Sequence, residues 1–431
     1  MTVSKLIAAA ALAAALPAAF SRPQAGSPAA AEWPQFRGPR RDGLSPDTGL
    51  LKQWPSGGPP LLWDAKGAGR GYASVAISGG RIFTMGDGPS VADDKDEYVL
   101  CFNEADGKFL WKAKLGPAWN SGKDDWQGSR ATPTADGDLL FALSPHGVLA
   151  CLEAATGKEL WRKSLPRDFG GKKGDGWGYS ESPLVDGDRL ICTPGGPRNT
   201  LVCLDKKTGR TVWTASVPED RGAGHASIVI AEIGGTRVYV TTTAGGALGV
   251  RASDGKVLWT YPIDRTTAVI PTPIVRGDLV FFTAGYGRGG ALLKQSVSGD
   301  GVKVEEVYGL NPDLTNKHGG VVLVGDFLYG DSDDKGTPWC AELGTGRIRW
   351  KQRGSGRGSA AVTYADGRLY IRYSSGRLAL VPATPDGYRE VSAFDVPHSG
   401  RRPSWAHPVI AGGRLFLRED DHILCYDLRA K

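Results

Sequence analysis

Arg130, Glu181, His225, His318 and Arg357 are the side chains whose types suit a small charged ligand. Guanidinium and imidazole groups can neutralise a carboxylate or another anion, and a Glu can ligate Ca2+. Aromatic residues stand near them in three long polar stretches. WNSGKDDWQGSR carries Trp119, Asp125 and Trp126; FGGKKGDGWGYSES carries Trp177 and Tyr179; HSGRRPSWAH carries Trp405. Rings beside polar groups are the material of a sugar, peptide or cofactor pocket. Asp331, Asp333 and Asp334 in GDSDDKG lack the rest of a twelve-residue Ca2+ loop and read as a charged hairpin. The six histidines are scattered, and GxSxG, HExxH and GxxxxGKS are absent, so none of the hydrolase, zinc-protease or P-loop templates applies.

The elements that must position these residues come from a repeat. CFNEADGKFLW ending at Trp111, CLEAATGKELW at Trp161, CLDKKTGRTVW at Trp213, GVRASDGKVLW at Trp259 and CAELGTGRIRW at Trp350 share one pattern. Each has Gly four residues before its Trp, preceded by Asp or Thr, a pair that makes a tight turn. Upstream lies a strand, an Asp-Gly type of turn and a strand, as in TPTADGDLLFALSPHG. The unit is therefore four antiparallel strands in about 45 residues, the content of one propeller blade. In the second unit the strands are predicted near 131–135, 138–143, 147–152 and 158–163.

The upstream phrase begins eight times, near Ser74, Thr132, Ser182, Ser227, Thr272, Gly320, Ser359 and His407. This predicts an all-β, eight-bladed β-propeller of four-stranded antiparallel blades, seven blades being the alternative count. Two copies lack their Trp: KVEEVYG around Tyr308, and YREVSAF from Tyr388 to Phe394. The last copy, ILCYDLRAK, stops before a fourth strand, and PPLLWDAKG with Trp63 resembles the missing end. Both chain segments are expected to build one blade and close the ring, which leaves no free sheet edge.

Strands converging on one axis leave room for small residues, whereas Trp63, Trp111, Trp161, Trp213, Trp259 and Trp350 belong on outer strands, covering the gaps between blades. Alignment of the repeats puts Arg130, Glu181, His225, His318 and Arg357 at or near the mouth of the central channel. Cys101, Cys151, Cys203, Cys340 and Cys425 share one repeat position, one per blade and too far apart to pair. Cys192 lies on a strand beside that of Cys203, so a local disulfide is left open.

The 52 Lys and Arg against 46 Asp and Glu, mixed without long runs, exclude a nucleic-acid footprint. Lys5, then an apolar run from Leu6 to Phe20 broken by Pro17, read as a signal peptide and processing region within 1–31, ahead of one propeller domain over 32–431. The run is short for a bilayer, no later segment offers a transmembrane span, and no cysteine there accepts a lipid. An exported monomer of the periplasm or extracellular space is expected.

DKKTGRTVW, with Asp205, Thr208, Gly209 and Trp213, resembles the tryptophan-docking motif of the pyrroloquinoline quinone (PQQ) repeat family. WPQFRGPRRDGLS, Trp33 to Ser45, is similar to the segment before the first blade in exported members. The family includes quinoprotein alcohol dehydrogenases and non-catalytic propellers of the BamB type. The resemblance implies a binding or assembly scaffold in the cell envelope, with an envelope protein or small polar ligand as partner. It leaves open PQQ- and Ca2+-dependent oxidation of alcohols or sugars. Against that stand the absence of the family's adjacent cysteine pair, the absence of a CxxCH haem site, and a chain shorter than the dehydrogenases.

Overall fold

The computed structural model of the chain describes residues 1, 31–87, 96–120, 127–264 and 266–430. The signal-peptide reading falls outside them except at Met1 and Ala31, as do Asp125 and Trp126. The described strands form eight four-stranded antiparallel sheets, the blades of one propeller. Blades 1 to 7 span residues 76–117, 134–164, 184–215, 229–262, 274–311, 322–351 and 360–395. In blade 2 the strands are Thr134–Asp136, Leu139–Leu143, Val148–Glu153 and Glu159–Ser164, the last three within one residue of the expected places and the first beginning three residues later. The innermost strand is shorter than expected because its leading residues turn their backbone toward the neighbouring blade.

Blade 8 combines three strands from 409–427 with Leu61–Lys66. The N-terminal strand runs antiparallel to His422–Asp427, with Trp63 opposite Cys425 and Ala65 opposite Ile423. Arg418 fastens this blade to the first. Its buried guanidinium donates to Thr84 Oγ1 at 3.0 Å, Ala68 O at 3.1 Å, Gly69 O at 3.0 Å and also to Met85 O. A rigid fork of donors can serve carbonyls from several segments at once, which a Lys ammonium on a flexible stem does less well.

The repeat Gly and Trp meet across blade boundaries. A Cβ on Gly107 would lie 2.7 Å from the Trp63 ring, on Gly157 2.5 Å from Trp111, on Gly209 2.9 Å from Trp161, and on Gly255 2.6 Å from Trp213. Each of these turns also has positive φ, so one glycine supplies both the turn and the platform for the previous blade's ring. Two of these indoles also donate to the backbone of the next blade, Trp161 to Lys206 O at 3.0 Å and Trp213 to Ala252 O at 3.0 Å, whereas Trp63 and Trp111 Nε1 are buried without a hydrogen-bond partner. Tyr308 takes the same role against Gly346, its hydroxyl donating to Leu343 O at 3.0 Å. Phe394 lies against Gly58. Trp259 instead donates to Gln295 Oε1 at 3.1 Å, because the third and fourth strands of blade 5, Gly289–Ser298 and Gly301–Asn311, run on past the place where the other blades make that turn.

All six cysteines are free and buried. Cys192 stands opposite Val202 and Cys203 opposite Ile191, one step out of register. Successive side chains on a strand face opposite ways, so the two thiols enter different core clusters and the disulfide left open by the sequence does not form. Among the described residues, no helix is long and apolar enough to cross a membrane.

Candidate ligand cavity at the channel mouth

Just ahead of the inner strands of blades 1 to 4, a backbone N–H points across to the neighbouring blade and lacks a sheet partner. Hydroxyls supply one. Ser74 N donates to Thr132 Oγ1 (3.1 Å), Thr132 N to Ser182 Oγ (3.1 Å), Ser182 N to Ser227 Oγ (3.0 Å) and Ser227 N to Thr272 Oγ1 (3.2 Å). The small residues at these positions are therefore acceptors as well as space savers, since a buried unpaired N–H costs about 1–3 kcal/mol.

At Gly320 the repeat has no hydroxyl, and the gap is filled by Arg37. The segment 33–45 crosses the channel beyond the far ends of the inner strands. Trp33 exchanges backbone hydrogen bonds with Ile77, Pro34 O accepts from Ala135 N, and Tyr364 O accepts from Ser45 N. Arg41 reaches Pro183 O at 3.0 Å and Arg37 reaches Val321 O at 2.5 Å. This plug closes one end of the channel and leaves a cavity of about 320 Å3 at the other, floored by Phe36 and Arg37.

Aromatic rings form one wall: Trp405 stacks on His318 with centroids 4.2 Å apart and tilts against Tyr72 at 4.7 Å. Trp177 and Tyr286 add further apolar faces. Arg130 contributes charge beside Tyr72, its guanidinium 5.5 Å from the ring centre. Lys317 is ion-paired with Asp334, which also accepts from Ser359 Oγ at 2.7 Å. Arg37 is 3 % exposed, and its Nε and Nη1 have no hydrogen-bond partner. Burial lowers its pKa to about 10, with Asp42 pulling the other way. The group stays charged at neutral pH.

The imidazoles do not. Burial lowers His225 to about 4, helped by Lys173 and opposed by Asp175. Burial likewise lowers His407 to about 3, with Arg37 adding to the effect, and depresses His318. His225 Nε2 donates to Asp175 Oδ2 at 2.8 Å, and its Nδ1 accepts from the Ser180 hydroxyl. Ser180, His225 and Asp175 thus stand in the order of a nucleophilic relay. Burial thus holds His225 neutral at neutral pH, between a carboxylate and a hydroxyl.

Of the residues singled out from sequence, the fold brings Arg130, His225, His318, Trp177 and Trp405 to this cavity. Glu181 lies outside its lining, buried, with Oε1 accepting from Thr193 N; desolvation raises it to about 7. Arg357 is exposed and outside the lining. Trp119 packs on His146 at 5.1 Å, and Tyr179 is a core residue whose hydroxyl donates to Pro194 O at 2.9 Å. Of the acidic hairpin, Asp331 is buried while Asp334 reaches the cavity. Phe36 and Arg37 escaped the sequence reading. Their one signal was a cationic stretch, WPQFRGPRR, that belongs to no blade.

No curated protein matches the chain. Solved structures do. A europium-containing methanol dehydrogenase superposes with a TM-score of 0.64 at 12% identity, over 91% of this chain and 90% of that one. Quinohemoprotein alcohol dehydrogenase from Comamonas testosteroni gives 0.62 at 11% identity, over 93% and 81%. BamB from Moraxella catarrhalis gives 0.56 at 14% identity, over 86% and 98%. At these identities the likeness is one of fold, shared by enzymes and a protein of another kind alike. A family model described as outer membrane protein assembly factor BamB matches residues 95–352, more than half of the chain, in the region where the blade repeats are strongest. On that match and the repeat geometry, the chain belongs to this BamB-related family of PQQ-like repeat propellers.

Proposed function

We propose that this chain is an exported, non-catalytic binding propeller of the cell envelope, whose channel-mouth cavity holds a small planar anion. The observation that carries the reading is Arg37: a buried guanidinium with two unpartnered nitrogens under a stacked aromatic wall. A buried charge that makes no direct ion pair costs several kcal/mol, only part of which the more distant Asp42 offsets, and a carboxylate or phosphate delivered to the free nitrogens recovers more of it. Placement in the envelope is supported by the family description and by the leader-like residues 1–31.

A resident Ca2+–PQQ pair does not fit the cavity. Ca2+ takes six to eight oxygens, whereas Asp334 is the one carboxylate among the described lining residues, and it is engaged by Lys317 and Ser359. Asp175 nearby is engaged by His225 and by Trp177 N at 3.0 Å. No cysteine is among the described lining residues. The carboxylated quinone alone, being flat and anionic, belongs among the ligands to test.

Intrinsic tryptophan fluorescence of the mature protein, titrated with PQQ, aromatic carboxylates, inorganic phosphate and glucose, tests the reading. At least one anion is expected to bind, about tenfold or more tighter than to Arg37→Met, and glucose is not expected to compete. Equal binding by the variant, or no anion binding below millimolar, would sink it. Dye reduction with PQQ, Ca2+ and an alcohol would overturn the non-catalytic part.

An assembly role has its own support. Leu62, Leu110, Leu160 and Val212, each just before a repeat Trp, are exposed on the outer strands of four successive blades. Apolar side chains repeated on a surface suit a protein partner. Cross-linking in isolated envelopes should lose its product on Leu110→Glu with Leu160→Glu, while anion binding persists; unchanged cross-links rule this surface out.

A further inference from the structure

Ring closure brings together three residues that no blade places by itself. Asp64 lies on the N-terminal strand, His422 opens the C-terminal strand paired with it, and His398 lies in the loop between blades 7 and 8. Asp64 Oδ1 is 2.8 Å from His422 Nδ1, and its Oδ2 is 2.7 Å from His398 Nε2. The imidazoles stack with centroids 3.6 Å apart and planes 15° from parallel. One nitrogen of each ring and a carboxylate oxygen therefore point to the same place, all within 4.8 Å of one another.

We propose that Asp64, His398 and His422 form a binding site for a divalent transition metal of the Zn2+ class, clamping the seam at which the propeller closes. Zn2+ binds imidazole nitrogen at about 2.0–2.1 Å and carboxylate oxygen at about 2.0–2.2 Å, so donors this close need only small side-chain rotations to share one ion. Two imidazoles and a carboxylate select Zn2+, Ni2+ or Cu2+ over Ca2+ and Mg2+, which prefer all-oxygen shells. The triad is partly exposed, which gives the ion a path from solvent and leaves a water to complete its shell. In the metal-free state both rings direct an N–H at the carboxylate. Binding moves each proton to the other ring nitrogen and presents two lone pairs, with no net proton release from neutral rings. The ion recognises only the closed ring, so its binding free energy adds to closure.

The experiment uses the mature chain without a polyhistidine tag, stripped with a chelator and dialysed. Titration calorimetry with ZnCl2 should give one ion per chain, and Co2+ should show visible d–d absorption. At a hundredfold excess over Kd the melting temperature should rise by about 3 °C for a chain of this size, and Ca2+ should not reproduce this. His398 has a φ of +66°, a conformation that Asn tolerates, so His398→Asn is the variant of choice. It should weaken Zn2+ binding at least tenfold and cut the rise to about half or less, while leaving the metal-free melt within about 1 °C, since an exposed pair contributes little. Substoichiometric Zn2+ in the unaltered protein, or an unchanged isotherm in His398→Asn, overturns the site. Arg37→Met should leave Zn2+ binding intact.

Discussion

Arg37 shows how one side chain can be costly to the fold and useful to the site. It donates to Asp42 O at 2.9 Å and Val321 O at 2.5 Å, which offsets part of its desolvation, but Nε and Nη1 gain nothing. Arg37→Met removes the charge and the two donors together, so urea unfolding should move by no more than about 1 kcal/mol in either direction even as anion affinity falls. His225 is the reverse case, a neutral group held by burial. Its folded pKa of about 4 lies below the ordinary 6.5, so the unfolded chain binds the proton first as pH falls. The stability it contributes is whole above pH 6.5 and is lost between 6.5 and 4, about 3 kcal/mol in all. Glu181, raised to about 7, has the opposite slope over pH 4.5 to 7. The difference between the protein and its His225→Gln variant isolates the histidine: that gap should shrink by about this amount from pH 7 to pH 4.

At the scale of the element, the turn glycines separate two roles that look alike in sequence. Gly157 and Gly137 both have positive φ, at 75° and 58°. A Cβ on Gly157 would strike the Trp111 ring, whereas one on Gly137 would meet nothing within 4 Å. Gly137→Ala should therefore cost about 1 kcal/mol, the backbone strain alone. Gly157→Ala should cost about 2–4 kcal/mol, strain plus displacement of an indole between two blades. Equal losses in urea unfolding would mean that ring docking adds nothing to blade cohesion.

At the scale of the whole molecule, stability depends on joining the ends. Leu61–Lys66 has one strand partner, His422–Asp427, and the Arg418 contacts reach from the last blade to the first. Removing residues 421–431 takes away that partner and exposes two strand edges. The truncated chain should melt at a lower temperature, lose cooperativity and aggregate, as seen by circular dichroism and light scattering; an unchanged melt would show that the seam is not structural.

The blades were legible in the sequence because turn chemistry and strand alternation are local, and a repeat states them many times over. Gly157 four residues before Trp161, and Trp63 standing apart from any complete copy, were enough to place hairpins and to foresee closure. Around Tyr308 and from Tyr388 to Phe394 the sequence showed only a missing Trp; that Tyr308 and Phe394 dock in its place, against Gly346 and Gly58, came from the fold. The cavity was legible only in part: the repeat fixes where Arg130, His225 and His318 stand relative to an inner strand, and the loops supply Trp177 and Trp405. Tyr179 and Glu181 lie on the same stretch as Trp177 yet turn into the interior, where they hydrogen-bond the backbone of Pro194 and Thr193, just past the end of strand Arg189–Cys192. The plug that floors the cavity, and the meeting of Asp64 with His398 and His422, were decided by tertiary structure alone. Each joins residues hundreds of positions apart, and such distances have no periodicity to read; only the closed ring makes them neighbours.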